Sequence, residues 1–212
     1  MTENPSDSTT PQRWHRRKHE RPGEIVSAAL SLFVERGFMA TKLDDVAKQA
    51  GVSKGTVYLY FENKEDLFRA VVQEMVLPEI ERIEKVISSH QGSAEDLLRH
   101  LVKQWWQNVG ESRLSGIPKL IIAEAGNFPG LAQFFVEKVV LRGRRLFINV
   151  IEKGIDSGEF KPCNTNYAAR ALVAPLVFAA IWKHSLSGYD KDPYNVQEYL
   201  DTHVSIFLAG LR

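Results

Sequence analysis

The sequence predicts an all-α protein, and three features of its 212 residues support this prediction. Apolar residues recur with spacings of three and four over most of the chain, which is the repeat of amphipathic helices. No segment alternates apolar and polar residues over the length of a strand. Residues that favour helix starts and stops flank the periodic segments. We therefore expect a short helical module at the N-terminus, followed by a larger helical bundle.

The composition excludes several classes of protein. Hydrophobic residues make up 44% of the chain and charged residues 25%, as in ordinary globular proteins. The single cysteine, Cys163, cannot form an internal disulfide, and no zinc-ligand spacing occurs. The polar start lacks the apolar run of a signal peptide, and the longest apolar stretch, 171–182, is shorter than the about 20 residues of a membrane span. We expect a cytoplasmic protein without membrane association, metal or cofactor.

The first helix follows a polar segment. Residues 1–20 are expected to form a disordered basic tail, because their second half is rich in Arg and Lys and precedes the first apolar stripe. The helix is expected to start at Pro22, since proline suits the first turn. Gly37 ends it by supplying the left-handed conformation after the last turn.

Three further helix starts follow within thirty residues. Thr41 and Asp44 have the spacing of a capping box, and Ser53 and Asn63 are good N-caps for the next two helices. Gly51 lies in the tight turn between the second and third helices. Two short helices joined by such a turn form the helix-turn-helix pattern.

The third helix, residues 53–61, carries the functional prediction. Val57 and Phe61 share one face and can pack on the second helix, which leaves Tyr58 and Leu59 outside. A helix in the DNA major groove uses such side chains, because tyrosine reaches phosphates and apolar atoms meet thymine methyl groups. For Tyr60 the alternative is packing against the fourth helix.

Charge supports contact with DNA in this segment. The whole chain has a net charge of +1, but residues 13–60 hold nine Lys and Arg against five acidic residues, a net charge of +4. Lys42 and Lys64 stand at helix starts, where the helix dipole disfavours a cation. A bound phosphate would attract both the ammonium groups and the free N–H groups there.

The segment 21–72 resembles the N-terminal domain of TetR/AcrR-type transcriptional regulators. The resemblance rests on Gly37-Phe38, Asp45-Val46-Ala47, the run 50–58, Tyr60-Phe61 and the run 63–67. It implies a bacterial, homodimeric, all-α repressor whose third helix enters the major groove and whose C-terminal domain binds a small ligand that weakens DNA binding. The positions implied to contact DNA are Thr41, Lys42, Ser53, Lys54, Gly55, Thr56, Tyr58, Leu59, Tyr60 and Lys64.

The rest of the chain is assigned to sensing and dimerisation. We expect a helix-turn-helix domain over residues 21–67 and a ligand-binding and dimerisation domain over residues 68–212. Aromatic side chains on its predicted helices could line a pocket for an apolar or aromatic ligand, or could form ordinary core. The candidates are Trp105, Trp106, Phe134, Phe147, Phe178 and Trp182. The family dimerises through its last two long helices, and the apolar stripe of the last helix fits this with Tyr199, His203, Val204 and Phe207.

These features predict a ligand-responsive regulator, most simply a repressor that a small apolar or aromatic effector releases from a palindromic operator in double-stranded DNA. The alternatives are a ligand-insensitive DNA-binding protein and a transcriptional activator. An enzyme is not expected, because no metalloprotease, nucleophile-elbow or phosphate-loop motif occurs.

Overall fold

The computed structural model describes the backbone of residues 11–212 and the side chains of residues 22–212. Within these residues the chain forms α-helices and no strand, which confirms the predicted fold class. The helices are α1 (Pro11–Arg36), α2 (Leu43–Gln49), α3 (Lys54–Tyr60), α4 (Lys64–Val71), α5 (Leu77–Ser89), α6 (Ala94–Trp105), α7 (Ile117–Glu124), α8 (Pro129–Phe135), α9 (Leu141–Asp156), α10 (Thr165–Lys183) and α11 (Val196–Leu211).

The start of α1 differs from the prediction. The helix begins at Pro11, before the expected start at Pro22, and includes that proline. Arg, Lys and Glu are good helix formers, and they continue the helix on the N-terminal side of the proline. Residues 1–10 of the predicted tail lie outside the described residues.

The helix ends follow the local chemistry of the sequence at most positions. Gly37 and Gly51 adopt φ values of 86° and 66°, in the left-handed region that glycine favours. Ser53 and Asn63 each accept a backbone hydrogen bond at the start of the helix that was predicted to follow them, and Ser93 does the same at the start of α6.

The helices pack around two cores. The N-terminal core includes the rings of Phe33, Phe38 and Phe68, which meet tilted or edge-on with centroids 5.1–6.0 Å apart. It also contains Leu120 of α7 and Leu131 of α8, so helices far along the chain complete this N-terminal core. The bundle core is formed by apolar side chains of α5, α6, α9, α10 and α11. A domain boundary drawn along the sequence at residue 67 therefore does not separate the two cores.

Three π-helical turns interrupt the longer helices. The turn Val72–Val76 joins α4 to α5, Trp106–Gly110 follows α6, and Val136–Val140 joins α8 to α9. The first leads directly into α5, which has Pro78 in its first turn. Leu77, directly after the first turn, and Val139, within the third, pack against both cores. The π turns thus lie where the two cores meet.

A short segment after α9 binds the start of α6. Gly158 has a φ of 79°, and the Glu159 carboxylate accepts hydrogen bonds from the N–H groups of Ala94 and Glu95 at the start of α6. A Cβ on Gly154 would lie 2.2 Å from the Phe160 ring, so only glycine fits there. This segment therefore fixes the start of α6 against the end of α9.

Candidate DNA-binding surface and sensing bundle

The short helix α3 is held from both sides. At its start the Ser53 hydroxyl accepts a 3.1 Å hydrogen bond from the Thr56 N–H and lies 2.8 Å from the Thr56 hydroxyl. Val57 and Phe61 are buried, as their spacing predicted. Seven residues could not form a stable helix alone, so these contacts keep the opposite face in place.

That opposite face presents apolar atoms to solvent. Leu59 is 73% exposed and Tyr58 is 48% exposed. Gly55 is also exposed, and a Cβ added there would meet only the Ser53 hydroxyl at 3.9 Å. Tyr60 is half-buried against the N-terminal core, with its ring 6.4 Å from that of Phe61, and its contact with DNA stays a prediction.

Lys54 is paired across the helix-turn-helix, which the sequence did not predict. Its Nζ lies 2.8 Å from Oδ1 and 2.9 Å from Oδ2 of Asp44 on α2. The same ammonium lies 5.7 Å from the centre of the Tyr58 ring. The hydrogen bond and the negative charge of Asp44 raise the pKa of Lys54 above its usual value.

The predicted capping box at the start of α2 does not form. The N-cap is Lys42, which makes no side-chain capping bond and is exposed, as a phosphate contact requires. Thr41 is 2% exposed, and its hydroxyl bonds to the carbonyls of Gly37 at 2.8 Å and Leu32 at 3.2 Å. The Thr41 side chain therefore satisfies the end of α1 and does not face DNA, contrary to the prediction.

Lys64 also has partners inside the protein. Its Nζ donates to the carbonyls of Phe38 at 2.5 Å and Met39 at 3.1 Å, and lies 4.6 Å from the centre of the Phe38 ring. Burial lowers the pKa of Lys64, and the negative charge of Glu124 opposes that shift. The ammonium thus fixes the loop between α1 and α2, and its contact with phosphate stays a prediction.

The same loop is held by the C-terminal half of the chain. The Met39 N–H donates to the Glu124 carboxylate at 3.3 Å, and the ring of Phe128 meets that of Phe38 edge-on at 4.8 Å. Gly116 approaches α1 so closely that a Cβ would lie 2.4 Å from Val34. The segment around α7 is therefore in direct contact with the DNA-binding module.

The six aromatic residues proposed for one pocket do not come together. Trp105, Trp106 and Phe147 belong to the bundle core, where Trp106 and Phe147 are buried. Phe134 packs against the N-terminal core instead, with the Arg69 guanidinium 4.7 Å from its ring. Phe134 therefore lies apart from the three aromatic residues of the bundle core.

The other two aromatic residues form a pair on α10. The rings of Phe178 and Trp182 are 6.0 Å apart, and Phe178 is 54% exposed. Phe178 therefore lies on the surface of this chain, and its place in a ligand pocket stays a prediction.

A polar cluster closes the end of α10. The buried Ser115 hydroxyl donates to the Ser112 carbonyl at 2.7 Å, so its only proton is used and the His184 Nε2, also 2.7 Å away, must donate to it. Burial lowers the pKa of His184, and the charges of Lys183 and Lys119 lower it further. The structure thus favours a neutral histidine at this position.

The predicted dimer residues of α11 mostly serve the protomer. Val204 is 2% exposed in the bundle core, so its prediction as an interface residue is wrong. Tyr199 and Phe207 are half-buried against the same core, and the His203 Nε2 lies 2.9 Å from the Leu172 carbonyl. The stripe in the sequence marks the face of α11 that packs inward.

Another apolar surface lies outward on the last two long helices. Ile206 of α11 is 69% exposed and Tyr167 of α10 is 70% exposed. Among the described residues, α10 alone has the length and apolar composition of a membrane span, with a mean hydropathy of 1.2, and 28% of that stretch is buried. Because α10 packs against α9 and α11, we interpret it as a bundle helix whose outer face has no partner in a single chain.

Comparison with known proteins identifies the family. Residues 25–71 match the family model of bacterial regulatory proteins of the tetR family, and residues 96–210 match that of the AefR-like transcriptional repressor C-terminal domain. The fatty acid metabolism regulator protein of Bacillus subtilis is 32% identical over 150 residues, which cover 68% of this chain and 74% of that protein.

Solved structures agree with the sequence comparison. A TetR-family transcriptional regulator from Mesorhizobium loti is 27% identical, with a TM-score of 0.71 over 92% of this chain and 98% of that one. The regulator FadR from Bacillus subtilis, solved in complex with stearoyl-CoA, has a TM-score of 0.74 and 24% identity over 90% of this chain and 99% of that one. The chain therefore belongs to the TetR family of bacterial DNA-binding transcriptional regulators and is not an enzyme.

Proposed function

We propose that this protein is a cytoplasmic, homodimeric repressor that binds a palindromic operator through α3 and leaves it when a small apolar effector binds the helical bundle. The observation that supports this most directly is the outward face of α3. Tyr58 and Leu59 are exposed there while Val57 and Phe61 anchor the helix from below. Apolar side chains in this position have a use when the helix lies in the major groove.

The contacts with DNA divide into two kinds. Residues at the start of a recognition helix read base edges, which assigns Lys54, Gly55 and Tyr58 to sequence readout. Lys42 is exposed at the start of α2, and we assign it to the phosphate backbone. Lys64 adds its backbone N–H at the start of α4, while its side chain orders the loop before α2.

Dimerisation supplies a use for the outer face of α10 and α11. Tyr167, Phe178 and Ile206 are all more than half exposed on these two helices. Packing them against a second copy of the chain would bury this surface and relate two α3 helices by two-fold symmetry. That symmetry is the reason for expecting an operator with two inverted half-sites.

The class of effector is inferred from the bundle and from one relative. The 32% identical relative is a regulator of fatty acid metabolism, which favours a ligand with an acyl chain. Trp105 is half-buried beside the bundle core and next to the π turn, so its fluorescence should change when a ligand enters there. An acyl thioester such as stearoyl-CoA is the first compound to test.

Coupling between effector and DNA needs a physical link, and the segment around α7 offers one. It contacts the loop before α2 through Glu124 and Phe128, and it contacts α10 at the Ser115–His184 hydrogen bond. An effector that favours a different position of α7 would move the start of α2 and change the spacing of the two α3 helices. It can shift this equilibrium only by its difference in affinity for the two states.

The operator sequence has to be identified first. The test therefore begins by selecting duplexes from a random DNA pool with the purified protein. We expect the recovered sequences to share an inverted repeat, and 10 µM stearoyl-CoA to release the labelled repeat in fluorescence anisotropy. Tyr58→Ala should lose the repeat, whereas Tyr189→Ala, which changes an 84% exposed tyrosine outside the DNA-binding module, should retain it.

The outcomes separate the parts of the proposal. Recovery of sequences without two half-sites would refute the proposal that a homodimer binds an operator with two inverted half-sites. Binding that no acyl thioester or free fatty acid weakens would refute the proposed effector class. Run-off transcription from a promoter carrying the repeat gives the regulatory sign, and an increase on adding the protein would show an activator.

A further inference from the structure

The pair formed by Asp44 and Lys54 lies on the surface that we assign to DNA. Both oxygens of the Asp44 carboxylate are within 2.9 Å of the Lys54 ammonium, although ten residues separate them along the chain. Both side chains are more than half exposed. Surface ion pairs of this kind contribute little to stability, so the arrangement has no evident structural purpose.

The pair changes what Lys54 can do on DNA of arbitrary sequence. Affinity for such DNA comes from cations that neutralise phosphates and release counterions. A lysine whose charge is already neutralised by a carboxylate releases no counterion when DNA binds. Asp44 also places a negative charge next to the DNA surface, where it repels phosphate oxygens.

At base edges the same pair keeps its function. An ammonium has three N–H donors, and the two contacts with Asp44 leave at least one of them for a guanine O6 or N7. The carboxylate can accept a hydrogen bond from the N4 amino group of a cytosine. The Tyr58 ring beneath Lys54 limits the directions that the ammonium can take.

We propose that Asp44 is a specificity-determining residue, which holds Lys54 away from phosphates so that this lysine contributes to operator recognition and not to general DNA affinity. This inference rests on the proposed role of α3 as the DNA-reading helix. Asp45, the next residue, provides a matched control because it has the same charge and pairs with Arg36, at 3.8 Å, instead of with Lys54.

The test measures the salt dependence of binding to a random-sequence 24-base-pair duplex for the wild type, Asp44→Asn, Lys54→Gln and the double variant. Each additional phosphate contact makes the slope of log K against log salt more negative by about 0.9. We expect this change in Asp44→Asn. Lowering the salt from 1 M to 0.1 M should then strengthen binding by about eightfold more in the variant than in the wild type. The double variant, which removes both charges of the pair, should return to the slope of the wild type.

Binding to a duplex selected from a random pool completes the test. There we expect Lys54→Gln to weaken binding and Asp44→Asn to lower the ratio of selected to random affinity by about tenfold, one lost base contact. A double variant that kept the steeper slope of Asp44→Asn would overturn the inference, because Lys54 would then not be the source of the added phosphate contact. An equal effect of Asp45→Asn would overturn it too, by showing only a loss of net charge. Absence of all DNA binding in the wild type would instead refute the proposed function.

Discussion

Replacing Lys64 with methionine separates two roles that one side chain could have. The long apolar chain of methionine fills the same space but cannot donate a hydrogen bond. In the structure the ammonium holds the carbonyls of Phe38 and Met39 and lies over the Phe38 ring. If that is its main role, the substitution affects stability, whereas a phosphate ligand would affect the binding of DNA.

The magnitude follows from those contacts. A hydrogen bond to a charged group contributes about 1.5–3 kcal/mol, and only the part-buried Phe38 carbonyl loses a bond that water cannot fully replace. The contact with the ring adds about 0.5–1 kcal/mol. Release of the lysine side chain returns up to about 2 kcal/mol of conformational entropy. We therefore expect a net loss of about 1–2 kcal/mol, or a fall in Tm of about 2–8 °C for a chain of this size.

Urea unfolding followed by circular dichroism measures the first quantity, and anisotropy titrations over a range of salt measure the second. Lys42→Met is the matched control, because Lys42 is exposed and caps no carbonyl through its side chain. We expect Lys42→Met to keep the wild-type stability and to make the salt slope less negative by about 0.9. For Lys64→Met we expect the opposite pattern, with reduced stability and a slope close to that of the wild type.

The reasoning would be refuted by the reverse result for Lys64. A slope reduced by about 0.9 together with unchanged unfolding would mean that the ammonium leaves the two carbonyls for a phosphate. In that case the original sequence-based assignment of Lys64 would be correct.

Three further predictions follow from the same structure. Gly55→Ala should keep or raise stability, because the new Cβ meets no close neighbour, but should weaken operator binding by at least about tenfold, 1.4 kcal/mol, if the backbone approaches DNA closely; unchanged binding would exclude that approach. Gly154→Ala should destabilise the protein by about 1–2 kcal/mol, since the overlap with Phe160 outweighs the higher helix propensity of alanine. Gly143→Ala on the same helix has open space around it and should instead stabilise by up to about 1 kcal/mol, and similar effects at both positions in urea unfolding would contradict the packing argument. The third prediction concerns pH: burial and two nearby ammonium groups lower the pKa of His184 in the folded protein, so the unfolded chain takes up this proton first as the pH falls below 6.5. Unfolding free energy should therefore decrease from pH 6.5 towards the lower folded pKa and be constant above about pH 7 with respect to this group, and His184→Gln should flatten that decrease; an unchanged pH profile in the variant would contradict the assignment.

Local chemistry explains which parts of the fold were predictable. The caps at Ser53, Asn63 and Ser93 and the left-handed Gly37 and Gly51 involve groups a few residues apart, so a short stretch of sequence specifies them. Where two local signals competed, the prediction failed. The Thr41 hydroxyl bonds to carbonyls at the end of α1 and does not form the predicted capping box. The first helix starts before Pro22, because the residues that precede the proline also favour a helix.

The candidate site was predictable to a similar extent. The period of α3 predicted that Tyr58 and Leu59 are exposed above Val57, and the structure confirms this arrangement. The period of α11 also predicted an apolar face correctly, but its members such as Val204 are buried within the chain. An amphipathic stripe indicates that one face of a helix is buried. It does not indicate whether that face packs against the same chain or against another chain.

The sequence by itself determined the helical class, most helix ends, the exposed face of α3 and, through its motif, the family. Only the tertiary structure decided which charged side chains have partners within the protein. The partners of Lys64 lie 25 and 26 residues before it, and Asp44 reaches Lys54 across the turn between two helices. It also decided that α7 and α8 complete the N-terminal core and that the candidate aromatic residues separate. Hydrogen bonds within a helix and at its ends join neighbours in the chain, whereas ion pairs and cores join whatever groups the packing of distant helices brings within a few ångströms.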